Sequence, residues 1–271
     1  MKDSLATWWG DFTIEGNATA QWEIGPQRIY VQRFAREWLI AHEQIDPSEN
    51  NLEQPFTYSD LNLSESDIPN LSRFVIRKTP DKLTVLPALA DRSIVSRPYT
   101  PFSVPVGENA TIYLSTPLWV RFAYGRPLQT IYELPLQRPS DTWFGPSTIE
   151  GEICYASRTF GRLNLENLTG QQYRAMTQVH IENKSSVPLL IERINVPVPY
   201  LSLFCAKDNL LWTETVTMVQ TRETALAEFQ IQKKLPPSAQ SPKLISKPRQ
   251  DPQKSMLIRA FSALKLGGFD G

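Results

Sequence analysis

Apolar residues recur at every second position through most of this chain, and pairs containing Gly, Pro or Asn interrupt them. Phe12 and Ile14 lead to Gly16-Asn17; Trp22 and Ile24 lead to Gly25-Pro26; Ile29 and Val31 follow, then Trp38 and Ile40. Period-two spacing broken by turn residues predicts an antiparallel meander, because successive side chains of a strand point to opposite faces. A helix needs apolar residues three and four apart. The same alternation predicts strands over Arg73–Arg77, Leu83–Leu86, Ser93–Ser96, Ala110–Leu114, Leu118–Phe122 and Leu128–Glu133. It continues over Glu152–Arg158, Ala175–Glu182, Leu189–Val196, Leu201–Cys205, Leu211–Val219 and Ala225–Ile231. Prolines number 22 against 12 glycines, which suits edge strands and loops, since an interior proline removes a helix hydrogen bond.

The expected fold class is therefore all-β: an antiparallel β-sandwich or two packed β modules, with a flexible C-terminal tail ending in a short amphipathic helix. Residues 1–97 form a meander module containing an acidic loop, 43–70, and residues 98–235 form a sandwich module. Val179–Val198, two apolar runs around Asn183-Lys184-Ser185, reads as a hairpin of that sandwich. Leu134–Ile149 reads as a loop carrying Trp143-Phe144.

Charge is unevenly distributed along a chain that is neutral overall. From Lys233 onward eight basic residues face two acidic ones, a net of +6, so the preceding body carries −6. Glu43, Asp46, Glu49, Glu53, Asp60, Glu65 and Asp67 lie together with no Lys or Arg among them. Residues 236–271 are expected to be a flexible basic tail, rich in Pro, Ser and Gln up to Pro252. Met256, Leu257, Ala260, Phe261 and Leu264 then recur at helical spacing, predicting a cationic helix over 255–266 that needs a surface to lie on. Met256, Leu257, Arg259, Phe261, Leu264 and Lys265 are the expected partner-binding residues, on a partner protein or a membrane surface; docking on the chain's own acidic body is the alternative.

Catalytic chemistry has little to build on. His42 shares a strand face with Trp38 and Ile40, His180 alternates with Gln178 and Glu182, and neither has metal-ligand spacing. Cys154 and Cys205 have no Cys-x-x-Cys partner and read as buried thiols. Phosphate-cradling glycine motifs and the Gly-x-Ser-x-Gly elbow are absent, so no cofactor is expected. The expectation is a non-enzymatic binding protein. Two alternatives stay open: a carbohydrate-binding module using Trp143 and Phe144, and a hydrolase using carboxylates such as Asp141, Glu150 and Glu152. Asp141, Trp143 and Phe144 mark the expected ligand or interface loop. Nucleic acid is not an expected partner, because the body is acidic. No run approaches the roughly 20 apolar residues of a membrane span, nor does the start resemble a signal peptide. A cytoplasmic protein, peripheral at the inner face of the membrane, is expected.

Trp8-Trp9-Gly10, Trp22-Glu23-Ile24-Gly25-Pro26, Glu37-Trp38, Pro117-Leu118-Trp119-Val120-Arg121, Asp141-Thr142-Trp143-Phe144-Gly145-Pro146, Gly151-Glu152-Ile153-Cys154-Tyr155-Ala156 and Leu211-Trp212-Thr213-Glu214 together carry a resemblance. In these stretches the chain resembles an archaeal and bacterial family known as domain of unknown function 432, from Trp8 to about Ile231, with the tail unmatched. The resemblance implies no activity or catalytic residues. Its members accompany small-conductance mechanosensitive channels, so it implies an accessory role in such a membrane protein complex.

Overall fold

The computed structural model of the protein describes residues 7–46, 48, 55–59, 61, 63, 70–147, 149–222, 226–232, 234–251 and 255–262. In chain order the first strands are β1 (Gly10–Thr13), β2 (Thr19–Ile24), β3 (Gln27–Arg33), β4 (Glu37–Gln44), β5 (Phe56–Ser59), β6 (Ser72–Val75), β7 (Lys82–Ala88) and β8 (Ile94–Ser96). Next come β9 (Phe102–Val104), β10 (Asn109–Pro117), β11 (Trp119–Tyr124), β12 (Gln129–Pro135), β13 (Ser140–Phe144), β14 (Glu152–Ala156), β15 (Arg174–Asn183) and β16 (Leu189–Ile191). The last are β17 (Arg193–Val196), β18 (Leu203–Cys205), β19 (Leu211–Trp212), β20 (Val216–Gln220), β21 (Leu226–Ile231), β22 (Lys243–Ser246), β23 (Met256–Arg259) and β24 (Phe261–Ser262). No α-helix occurs among the described residues. The protein is all-β, as the alternation predicts.

Two compact units share the chain: Met1–Ala88 with Leu118–Arg138, and Leu89–Pro117 with Pro139–Gly271. The sequence placed a boundary at 97/98. The structure groups strands differently because β11 pairs with β7, so the β11–β12 hairpin completes a sheet begun by β1 and β7.

The first unit is a sandwich of two antiparallel sheets, β1-β7-β11-β12 and β5-β2-β3-β4-β6. Trp22 meets Phe122 with ring centroids 5.7 Å apart, and Phe74 meets Tyr132 at 5.5 Å, so the inner faces interlock through aromatic rings. Asn17 and Gly25 take positive φ at the two predicted turns. The acidic stretch holds β5, which pairs with β2, and Leu63, which packs over Tyr30, Leu39 and Ala41 on the sheet's outer side. Glu49, Glu53, Asp60, Glu65 and Asp67 lie outside the described residues.

In the second unit β15 is the spine. β10 runs antiparallel along one side of it; β19 and β20 lie in succession, parallel, on the other. The sheet forks there, through β18 to β22 and through β21 to β23. A five-stranded sheet, β13-β14-β8-β17-β24, contains another parallel pair, β14 with β8. The predicted hairpin at Val179–Val198 does not form: past the turn, β16 pairs with β9 and β17 with β8. Asn183 explains the departure, since its amide binds the carbonyls of Val104, Pro105 and Val187 and steers the chain off the sheet.

The tail corrects the sequence reading most. β22 pairs with β18, β23 extends the forked sheet beside β21, and β24 extends the five-stranded sheet beside β17. Residues 255–262 are thus strands rather than the expected helix, and residues 243–246 are paired rather than a flexible linker. Over so short a span the apolar positions satisfy either period, and available edges with unpaired backbone groups decide between them. Leu264 and Lys265 lie outside the described residues. Ala260, fully buried between the two strands, accepts a hydrogen bond at its carbonyl from Asn195 N at 2.9 Å. Phe261 is 3% exposed. Stopping the chain after Asp251 removes that burial, worth about 2 kcal/mol for the ring alone, and lowers the urea midpoint; an unchanged midpoint contradicts the docked tail.

Candidate functional site

The loop expected to carry Trp143-Phe144 is a strand, β13, paired in register with β14: Asp141 faces Tyr155, Thr142 faces Cys154, Trp143 faces Ile153 and Phe144 faces Glu152. Strand alternation divides the three expected site residues. Asp141 and Trp143 lie on the outer face with Ile153 and Tyr155; Phe144 turns inward. Phe144 is fully buried with Cys154 and Val95. The two-ring sugar platform is therefore reduced to one ring, Trp143. Asp141 and Glu152 stand on opposite faces, so those two carboxylates do not share a cleft.

The outer face is apolar at its centre and charged at its edge. Trp143 is 39% exposed, its partner Ile153 56%, and Ile149 at the hairpin tip 90%. Arg92 lies over the Tyr155 ring, 5.2 Å from its centroid, and pairs with Asp141 at 3.3 Å. Both charged groups of that pair are largely exposed, so it orients more than it stabilises.

The hairpin loop is ordered by its own hydrogen bonds. Trp143 Nε1 donates to the carbonyl of Ser147 at 2.6 Å, and Ser147 Oγ accepts from the amides of Ile149 and Glu150. Gly145 and Gly151 make the loop's close crossing possible. A Cβ on Gly145 would stand 2.0 Å from the Glu150 carbonyl oxygen, and one on Gly151 2.7 Å from the Trp143 ring. The indole thus lies against bare backbone.

Beneath the hairpin, Arg193 Nη2 donates to Thr142 Oγ1 and to the Trp143 carbonyl, and its guanidinium lies 5.1 Å from the Phe144 centroid. Asn195 Nδ2 donates to Glu152 Oε1 at 2.7 Å and to the Arg259 carbonyl at 3.1 Å. Arg259 Nη1 in turn donates to the Glu150 carbonyl at 3.2 Å. The tail strand β23 therefore buttresses the loop. Leu257, on the same side of β23 as Arg259, is 76% exposed, whereas Met256, Arg259 and Phe261 are partly or wholly covered by the chain's own strands. Asp141, Trp143 and Arg259 are brought into one region; Phe144 is buried on the opposite face of the sheet, and Phe261 is buried against β17, paired with Ile194. Sequence reasoning missed Arg92, Ile149 and Ile153. The signal was present in Gly145-Pro146 and Gly151, which bracket a hairpin loop longer than the usual two to five residues.

The remaining chemistry is dispersed. His42 is half-buried, its pKa lowered by that burial, and faces Tyr132 at 6.4 Å; His180 shares a hydrogen bond with Thr111 Oγ1. No cluster of three or more His, Cys, Asp or Glu side chains able to hold a metal occurs among the described residues. No helix among them is long and apolar enough to cross a membrane.

Fold and site together define an all-β protein of two units with an exposed, self-ordered aromatic hairpin. The chain belongs to the family described as protein of unknown function (DUF432), whose model matches residues 8–265. The match runs through the tail, beyond the Ile231 limit of the sequence resemblance, in keeping with tail strands that are part of the folded body. No curated protein and no solved structure matches the chain.

Burial, reinforced by Glu152, raises the Cys154 thiol from an ordinary value of 9 to about 12. The folded state then holds a proton that the unfolded chain has already lost. The resulting stabilisation is complete below about pH 9 and declines as pH rises toward 12. Replacing Cys154 by Ala is expected to flatten the alkaline part of the stability-against-pH curve; identical alkaline slopes would contradict a buried neutral thiol.

Proposed function

We propose that the chain is a non-enzymatic binding protein, an accessory component of a membrane protein complex, and that the outer face of the β13–β14 hairpin is its partner-binding surface. The observation that carries this reading is the coincidence of exposure with order. Trp143, Ile149 and Ile153 leave large apolar area in water, on a loop fixed by Ser147, Arg193 and Arg259. Exposed apolar groups in one contiguous region favour association, and tryptophan is among the residues that contribute most to interfaces. Pre-ordering reduces the conformational entropy lost on binding. The Arg92–Asp141 pair at the margin supplies a polar rim of the kind that sets register. The tail contributes through Arg259, as a buttress of the loop rather than as a free arm.

The resemblance implies an accessory role at small-conductance mechanosensitive channels, which makes such a channel the partner to test. Affinity of the full chain for the purified channel is measured alongside the Trp143→Ala/Ile153→Asp variant. Loss of two central apolar contacts costs about 3 kcal/mol, roughly a hundredfold in affinity. Equal binding by variant and parent removes the hairpin from the interface, and absence of binding by either removes the channel.

A further inference from the structure

A second surface, apart from the hairpin face, collects three arginines, Arg97, Arg158 and Arg162. Residues 97–99 and 160–162 run side by side in parallel: Gly161 N donates to the Arg97 carbonyl at 2.8 Å and Tyr99 N to the Gly161 carbonyl at 2.9 Å. Ser157 N donates to the Val95 carbonyl, bringing Arg158 into the same ridge. The Arg162 guanidinium lies 3.9 Å from the centroid of Tyr99, whose ring meets Phe160 edge-on at 6.0 Å. Tyr99, Phe160 and Leu163 are all about half exposed or more. Among the described residues Arg97, Arg158 and Arg162 enter no ion pair, and the neighbouring Glu166 pairs with none of them.

The ridge is fixed in place from below. The buried Arg174 binds Ser157 Oγ and Thr159 Oγ1, and Gly161 sits so close to Ile112 and Leu114 that a Cβ would approach Leu114 to 2.6 Å. Beside it Thr100, Asn164 and Asn167 line a depression of about 160 Å³, room for one side chain rather than a small-molecule ligand.

We infer that this ridge is a docking site for a carboxylate-rich segment of a partner protein, its acids taken by Arg97, Arg158 and Arg162 and its apolar side chains by Tyr99 and Phe160. Guanidinium forks match carboxylates in a bidentate manner, and arginine with tyrosine is the composition of interface anchors. A short acidic peptide is favoured over nucleic acid or an anionic membrane. Each of those presents an extended sheet or line of negative charge to a chain that is neutral overall, whereas a peptide confines its charge to the three arginines of the ridge.

Fluorescence anisotropy of a labelled oligo-glutamate peptide containing interspersed leucines tests this on the full chain. Binding is expected, weakening with added salt, with no binding of the oligo-glutamine counterpart. Arg162→Glu is expected to weaken it about tenfold or more, as reversal of a charge at an interface does. Arg158→Glu, at an exposed side chain that makes no ion pair among the described residues, is expected to act in the same direction and separates binding from any folding defect of the first variant. Equal binding by both variants overturns the assignment. So does equal binding of the glutamine peptide, no binding by the parent chain, or a preference for oligothymidylate or phosphatidylserine vesicles over the acidic peptide.

Discussion

One buried amide, Asn195, joins the pieces on which the rest of the second unit depends. Its backbone N–H takes the Ala260 carbonyl, and its side chain takes the Arg259 carbonyl and the Glu152 carboxylate. At 1% exposure these groups have no access to water, so each must be satisfied by protein. The satisfaction is possible only while the tail lies beside β17 and the hairpin lies beside β8. A buried, fully bonded polar residue of this kind fixes a unique arrangement where apolar packing alone would admit several.

Through that residue the tail acquires a structural part. A segment rich in lysine and proline would lose too much conformational entropy to order itself alone. Strand addition changes the balance, because β23 and β24 each complete a sheet edge whose backbone groups would otherwise face solvent or another chain. Two sheets gain an outer strand from seven consecutive residues. The hairpin gains the Arg259 contact to Glu150 from the same event. The order of the exposed aromatic face is in this sense a property of the docked tail.

The sequence made the β character and most strand positions legible, since Trp22, Ile29, Val31, Trp38 and Ile40 alternate without ambiguity and all are buried. Turn chemistry at Asn17 and Gly25 was equally clear, each adopting the left-handed backbone expected of it. Three things were not legible. Parallel pairing of β15 with β19 and β20 joins segments thirty or more residues apart, and no local pattern encodes that choice. Trp143 and Phe144 could be placed together but not divided between faces without knowing that they lie on a strand. The tail's Met256, Leu257, Ala260 and Phe261 fit a helix and a pair of strands equally well, and only the neighbouring edges of β21 and β17 decide. The aromatic–arginine ridge left no trace because Tyr99 and Arg162 meet across sixty residues.

The most direct measurement is amide hydrogen exchange on the full chain, comparing 255–262 with the hairpin at 140–156. Slow exchange is expected in both, with simultaneous loss of protection when Asn195 is replaced by Ala. Exchange of 255–262 at the rate of an unstructured peptide, with the hairpin still protected, would contradict it.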